Sequence, residues 1–403
     1  MLVNGSTCGI LAAISACCQP GDAILIARNC HKSIYNAIML RELVPYYIYP
    51  EETESGICKD ITVGQIRRQL ASFEALGITP KAVVLTSPTY EGVISDIAGI
   101  EQVLHDRDIL LIVDEAHGAH LEFMPYKMSA VRCGADIVIQ STHKTLPALT
   151  QTALLHLNNI CLSEKIRKYL SVFMTSSPSY IFMQSIEKAI AYSDNHRQVY
   201  ADYSQRLSDF RSKCQDLRHI KLFMSRQEAV SDIYDYDISK LVFTCDNGEE
   251  LAELLAARGQ YIEMAAAGYV VLMTSIADDA QAFETLSAVL HEIDEAYPDK
   301  KSEETQKFYY ANATNRIIIK DRRCLPCEAY DDEPSYKALS DAIGFVAADY
   351  IYTYPPGIPV IVPGEIYTDE ILDEINHRYV MGLKLTGVRS ADGCLLVPCI
   401  QEG

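Results

Sequence analysis

The chain has 403 residues, of which 49% are hydrophobic and 22% charged, and it carries a formal net charge of −19. That composition belongs to a globular protein with room for two or three domains and a large core, and it excludes a disordered chain. The negative field disfavours nucleic acid as a partner, no apolar run approaches the ~18 residues a membrane span needs, and Met1-Leu2-Val3-Asn4-Gly5 has no basic stretch leading into an apolar one, as a secretory signal would.

Asn4-Gly5-Ser6-Thr7-Cys8-Gly9 opens a helical segment that runs to Cys18 and is stopped by Pro20-Gly21. A Gly/Ser/Thr turn at a helix start offers free N–H groups, hydroxyls and the positive end of the dipole to a phosphate. Serine or threonine there is also an ordinary N-cap. Four apolar runs follow at 22–27 (DAILIA), 81–87 (KAVVLTS), 108–114 (DILLIVD) and 136–141 (DIVIQS), and helical patterns separate them, as at 31–43 and 97–105. Runs of that kind suit parallel strands covered on both faces, and their alternation with helices predicts an α/β layered sheet. Functional residues are then expected at the C-terminal ends of the strands.

Beyond Tyr192 the texture changes. A charged helical stretch to residue 225 closes a large domain, 1–225. A small α+β domain, 226–297, follows, with strands at 240–245 and 269–275 and helices at 248–258 and 280–296. The polar stretch 297–305 (YPDKKSEET) reads as a linker, and 306–403 as a third, C-terminal domain.

Asp114 ends the most apolar strand, where a carboxylate must pair with a cation or face a cleft. His117 and His120 are spaced like a metal pair, but two histidines with no further ligand motif more often serve without one, and no metal is expected. Ser141-Thr142-His143-Lys144 follows the next strand. A lysine placed there, with its pKa lowered by burial or by other cations, is the amine that imine chemistry requires. The 13 cysteines are scattered, and Cys324-Leu325-Pro326-Cys327 has neither a second pair nor a thioredoxin-like context. Reduced thiols in a cytoplasm are expected.

Six segments together resemble the ornithine/lysine/arginine decarboxylase family of pyridoxal-phosphate (PLP) enzymes. They are NGST at 4–7, RNCHKS at 28–33, SPTYEGV at 87–93, VDEAHGAH at 113–120, QSTHKTLPALTQ at 140–151 and YPPGIP…PGE at 354–365. The resemblance implies the type I PLP-dependent transferase fold, α/β with a mostly parallel sheet, and PLP held as a Schiff base on Lys144. It implies that Ser6, Thr7, Ser141 and His143 hold the cofactor phosphate, that His31 stacks on the ring with Ala116 against the other face, and that Asp114 pairs with the ring nitrogen. Thr175 and Ser176 would reach the cofactor phosphate of a neighbouring subunit, making a homodimer with shared sites.

The implied reaction is decarboxylation of a basic amino acid, with Glu365 or Glu263 as candidate anions for its distal cation, although a lone Glu is more often a solvated acid. Aminotransfer is the second enzyme reading, with Arg389 as its carboxylate candidate. A non-catalytic homologue serving as a partner subunit is the third. The family normally carries a further segment ahead of the NGST turn, so this chain is expected to bind PLP better than it catalyses.

Overall fold

The computed structural model describes residues 1–126, 129–224, 233–296, 322–380, 382–391 and 394–400. The expected linker at 297–305 lies outside the described residues. The strands are β1 (Leu2–Asn4), β2 (Ala23–Ala27), β3 (Val44–Ile48), β4 (Ala82–Thr86), β5 (Val93–Ile94), β6 (Leu110–Asp114), β7 (Ile137–Ser141) and β8 (Thr152–Leu157). They are followed by β9 (Lys221–Leu222), β10 (Asp235–Tyr236), β11 (Lys240–Thr244), β12 (Met264–Ala266) and β13 (Tyr269–Met273).

Seven strands form the central sheet in the order β1-β8-β7-β6-β4-β2-β3. The run from β3 to β7 is parallel, and β8 turns back antiparallel against β7. The four apolar runs of the sequence are β2, β4, β6 and β7, buried nearly throughout because helices cover both faces. Tyr-rich β3 and the mixed β8 lack that signature, and pairing at the sheet's flanks accounts for them.

The register fixes the site. Thr86 of β4 lies opposite Asp114 of β6, and Asp114 lies opposite Ile139 of β7, so Asp114 and Ser141 end neighbouring parallel strands. Helix α1 (Ser6–Cys17) packs under this edge and brings its N-terminus to the same end of the sheet.

A second sheet, β12-β13-β11-β9, is antiparallel and is backed by helices at Gly248–Ala256 and Ala280–Ala296. Near the C-terminus two three-stranded antiparallel sheets enclose a core that includes Ile351, Ile361, Tyr367, Ile375 and Val397. Arg28, just past β2, ties this part to the central sheet. Its guanidinium donates to the Pro359 and Val360 carbonyls at 2.8 and 3.1 Å and to Glu365 at 3.2 Å. Among the described residues no helix is long and apolar enough to cross a membrane.

Candidate active site

Asp114 is buried, and its Oδ1 accepts the Ala116 amide at 3.1 Å. Burial raises its carboxyl above the usual range, while Lys144 and the Ala116 N–H work against that rise. Glu115 points the other way. It accepts from Ser129 Oγ, the Ala130 amide and Gln140 Nε2 at 2.9, 2.7 and 2.6 Å, and so locks the segment from below.

Lys144 sits in a four-residue helical turn, Thr142–Thr145, directly after β7. Its Nζ lies 2.9 Å from His117 Nε2. Desolvation lowers the amine, with Asp114 opposing and Lys240 reinforcing the effect. His117 is buried and held well below the ordinary imidazole range by desolvation, then by Lys144 and Lys240. A neutral ring can therefore accept from the lysine. The ring of Tyr90 lies 4.6 Å from that of His117, and the Tyr90 hydroxyl donates to Glu263 Oε1 at 2.5 Å.

His117 meets Lys144 and His120 meets Asp237, at 3.2 Å, and among the described residues there is no group of three or more His, Cys, Asp or Glu side chains that could hold a metal. Sequence reasoning passed over His117 as the partner of Lys144 and passed over Tyr90. The signal available for His117 was its place three residues beyond the strand-end Asp114.

The phosphate turn is built as a helix start without a side-chain cap. Gly5 takes φ +85° at the N-cap of α1, no side chain bonds the first amides, and no acid lies in the first turn. Ser6 Oγ and Ser141 Oγ are 2.6 Å apart, joining this turn to the end of β7. Thr7 is exposed beside Ser6. The His143 ring bonds the Thr152 carbonyl through Nδ1 at 2.8 Å.

His31 is the N-cap of α2 (Lys32–Leu40), accepting the Ser33 amide at 3.2 Å. It also faces the tyrosine–proline loop, since a Cβ on Gly357 would come within 3.3 Å of its ring. Desolvation, then Lys144 and Lys32, push His31 down to about 4. Thr175 and Ser176 lie exposed, and no hydrogen bond or ion pair among the described residues ties them to Ser6, Ser141 or Lys144.

The two candidate acids part company. Glu365 is no solvated acid: it is buried, paired with Arg28 and accepting the Val362 amide at 2.8 Å. Glu263 is exposed at the rim beside Tyr90, and its charge reaches Lys144.

These residues fit PLP. A buried carboxylate whose burial disfavours its charge wants a cation such as a protonated ring nitrogen, and an uncapped helix start with two hydroxyls wants a phosphate. A parallel sheet with a strand-end aspartate, a lysine after the next strand and such a turn is the arrangement of the type I fold on which PLP-dependent enzymes are built.

Solved structures share this fold. The constitutive lysine decarboxylase of Escherichia coli superposes with a TM-score of 0.82 at 22% identity, over 99% of this chain and 70% of that one. The lysine decarboxylase LdcF of Francisella novicida gives 0.84 at 20%, over 100% and 69%. The chain belongs to the Orn/Lys/Arg decarboxylase family: the major-domain family model matches residues 1–251 and the C-terminal-domain model residues 326–384. Its cofactor is accordingly pyridoxal phosphate. Among curated relatives, the uncharacterized protein YaaO of Bacillus subtilis is 32% identical over all of this chain and 82% of its own length. The arginine decarboxylase of Bacillus anthracis is 27% identical over 96% and 78%.

Proposed function

We propose that this chain decarboxylates lysine, ornithine or arginine to the corresponding amine and CO2. The observation that carries the reading is the Lys144–His117 pair at 2.9 Å, with buried Asp114 and the rim acid Glu263 both acting on the lysine's charge. PLP, when bound, supplies an electron sink for the negative charge that departing CO2 leaves at the substrate's α-carbon.

The chain's own residues do the rest. Ser6, Thr7, Ser141 and His143 anchor the cofactor phosphate, with the α1 N-terminus supplying amides. Asp114 keeps a proton on the ring nitrogen, where it raises the pull on electrons. His31 and Ala116 would flank the cofactor ring and help exclude water, so that the carboxylate would leave from a low-dielectric site. Lys144 Nζ holds the cofactor and then moves the proton that closes the reaction, with His117 Nε2 accepting from it. Glu263, aligned by Tyr90, offers a carboxylate to the distal ammonium or guanidinium of a basic substrate.

Thr175 and Ser176 complete the phosphate site of a partner subunit, so the working form is a homodimer with shared sites. That product class suits amine or polyamine biosynthesis, and the 13 scattered cysteines suit a reducing cytoplasm. The test is CO2 release by PLP-loaded protein from arginine, lysine and ornithine, with leucine and glutamate as controls. Release from one or more basic substrates that Lys144→Ala abolishes supports the reading. No release from any of the three would overturn it.

A further inference from the structure

The turn that leads into β8 holds a strained residue beside the phosphate turn. It is closed by the Thr152 amide donating to Leu149 O at 3.3 Å, and within it Gln151 takes φ +79°. A positive φ inside a turn suits Gly or Asn, and any other residue held there is strained. The Gln151 side chain reaches out of the turn, where Nε2 donates to Asn4 Oδ1 at 2.5 Å, one residue ahead of the Gly5 N-cap of α1. A Cβ on Gly5, at φ +85°, would lie 3.9 Å from Gln151 O, so the two residues of positive φ stand close together.

Thr152 grips the segment that carries Lys144. It is buried and lies across the ladder from Asn4, while its neighbour Ala153 lies across from Ser141. The Thr152 hydroxyl accepts from Thr142 Oγ1 at 2.7 Å and donates to Leu149 O at 2.7 Å. Thr142 is fully buried, so its hydroxyl depends on that acceptor. The Thr152 carbonyl accepts from His143 Nδ1 at 2.8 Å, which leaves Nε2 as the ring nitrogen for a phosphate. The Leu149 amide donates to Ser185 Oγ at 2.9 Å, on the helix Tyr180–Asn195, and so seats the turn on the body of the domain. The phosphate-facing residues come from two segments far apart in the chain, Ser6–Thr7 and Ser141–His143, and this one turn bonds to the neighbours of both.

We propose that the turn from Leu149 to Thr152 is a clamp for the cofactor phosphate, with Gln151 and Thr152 as positioning residues. Gln151 fixes the entry to the helix start through Asn4, and Thr152 fixes Thr142 and His143. Both act through the residues they hold rather than on the cofactor itself. The strain at Gln151 then has a use: a glycine there would relax the turn and lose the grip on Asn4. The proposal rests on Ser6, Thr7, Ser141 and His143 being the residues that hold the phosphate, and it stands for whichever basic amino acid the site takes.

The test sets PLP against pyridoxal, which has the same ring and aldehyde without the phosphate. Each is titrated by absorbance into full-length protein freed of cofactor, and thermal melting of the cofactor-free form reads stability. The parent protein should bind PLP far more tightly than pyridoxal. Equal affinities in the parent would overturn the phosphate reading itself, and the clamp with it.

Thr152→Val keeps the side-chain shape but strands the buried Thr142 hydroxyl. It should weaken PLP binding about tenfold, the scale of one buried hydrogen-bond partner lost, and leave pyridoxal close to the parent value. Thr152→Ser keeps the hydroxyl and should match the parent. Gln151→Gly relieves the positive φ, so the cofactor-free melting temperature should not fall, yet PLP alone should bind several-fold more weakly. A merely structural role would instead weaken both ligands together. Parallel losses of PLP and pyridoxal in either variant, or a PLP affinity that stays at the parent value, overturn the proposal. If Thr152→Val does not fold, Gln151→Gly decides alone by the same criterion.

Discussion

Replacing Arg28 by Met should unfasten the C-terminal part of the chain from the sheet that carries the site. The Arg28 guanidinium is buried and makes four hydrogen bonds, to Tyr35 Oη at 2.9 Å, the Pro359 and Val360 carbonyls at 2.8 and 3.1 Å, and Glu365 at 3.2 Å. Methionine retains most of the stem but leaves Glu365 as a buried carboxylate with the Val362 amide as its remaining donor among the described residues. Removing one partner of a buried ion pair costs about 3–5 kcal/mol. Restoring neutrality with Glu365→Gln in the same chain should recover part of that loss, because the stranded charge is its largest component.

The damage should reach the cofactor, since the same junction holds Gly357 O against the Lys32 amide at 3.0 Å and the loop against His31. Urea denaturation followed by circular dichroism, read at a common slope, gives the stability, and PLP titration gives the affinity. A loss below about 1 kcal/mol, the scale of an exposed pair, would refute the buried-hub account.

Asp114→Asn should keep PLP bound yet cut turnover more than about a hundredfold, since loss of a buried charge partner amounts to roughly 3–5 kcal/mol; near-normal steady-state rates would contradict its role. Gly357→Ala, at φ +80° and 3.3 Å from His31, should cost about 1–2 kcal/mol and weaken PLP binding, checked by thermal melting and titration. His31 and His156 are each pushed from 6.5 down to about 4, chiefly by desolvation. The unfolded chain therefore binds protons there that the folded one refuses, so the stability these two rings contribute should be fully present above 6.5 and fall as pH drops towards 4. Each histidine contributes a slope of at most ~1.4 kcal/mol per pH unit, read as the difference between the parent and a His31→Gln or His156→Gln variant because Glu52 and Glu115, raised to about 7 by burial, act in the opposite sense; no difference in slope would contradict the burial of that ring.

Much of the sheet was legible because its inner strands are covered on both faces and read as unbroken apolar runs. β2, β4, β6 and β7 fall inside the segments marked from sequence, differing by one or two terminal residues. β3 and β8 were not, because flanking strands with tyrosines or polar residues take their pairing from neighbours rather than from their own pattern. Asp114 and Lys144 stood out as charges ending apolar strands. The His117–Lys144 contact did not, because it depends on how two strand-end loops fold towards each other. Glu365 was misjudged for a related reason: its partner Arg28 lies more than three hundred residues away, and no local pattern announces such an ion pair. Lys240 opens an apolar strand and gives no sign in sequence that it is buried.

The central claim is that Lys144 carries the cofactor. Borohydride reduction of PLP-loaded protein, followed by digestion and mass spectrometry, tests it directly. One pyridoxyl modification per chain is expected, on Lys144, lost in Lys144→Ala. A modification on another lysine, or its survival in Lys144→Ala, would contradict it.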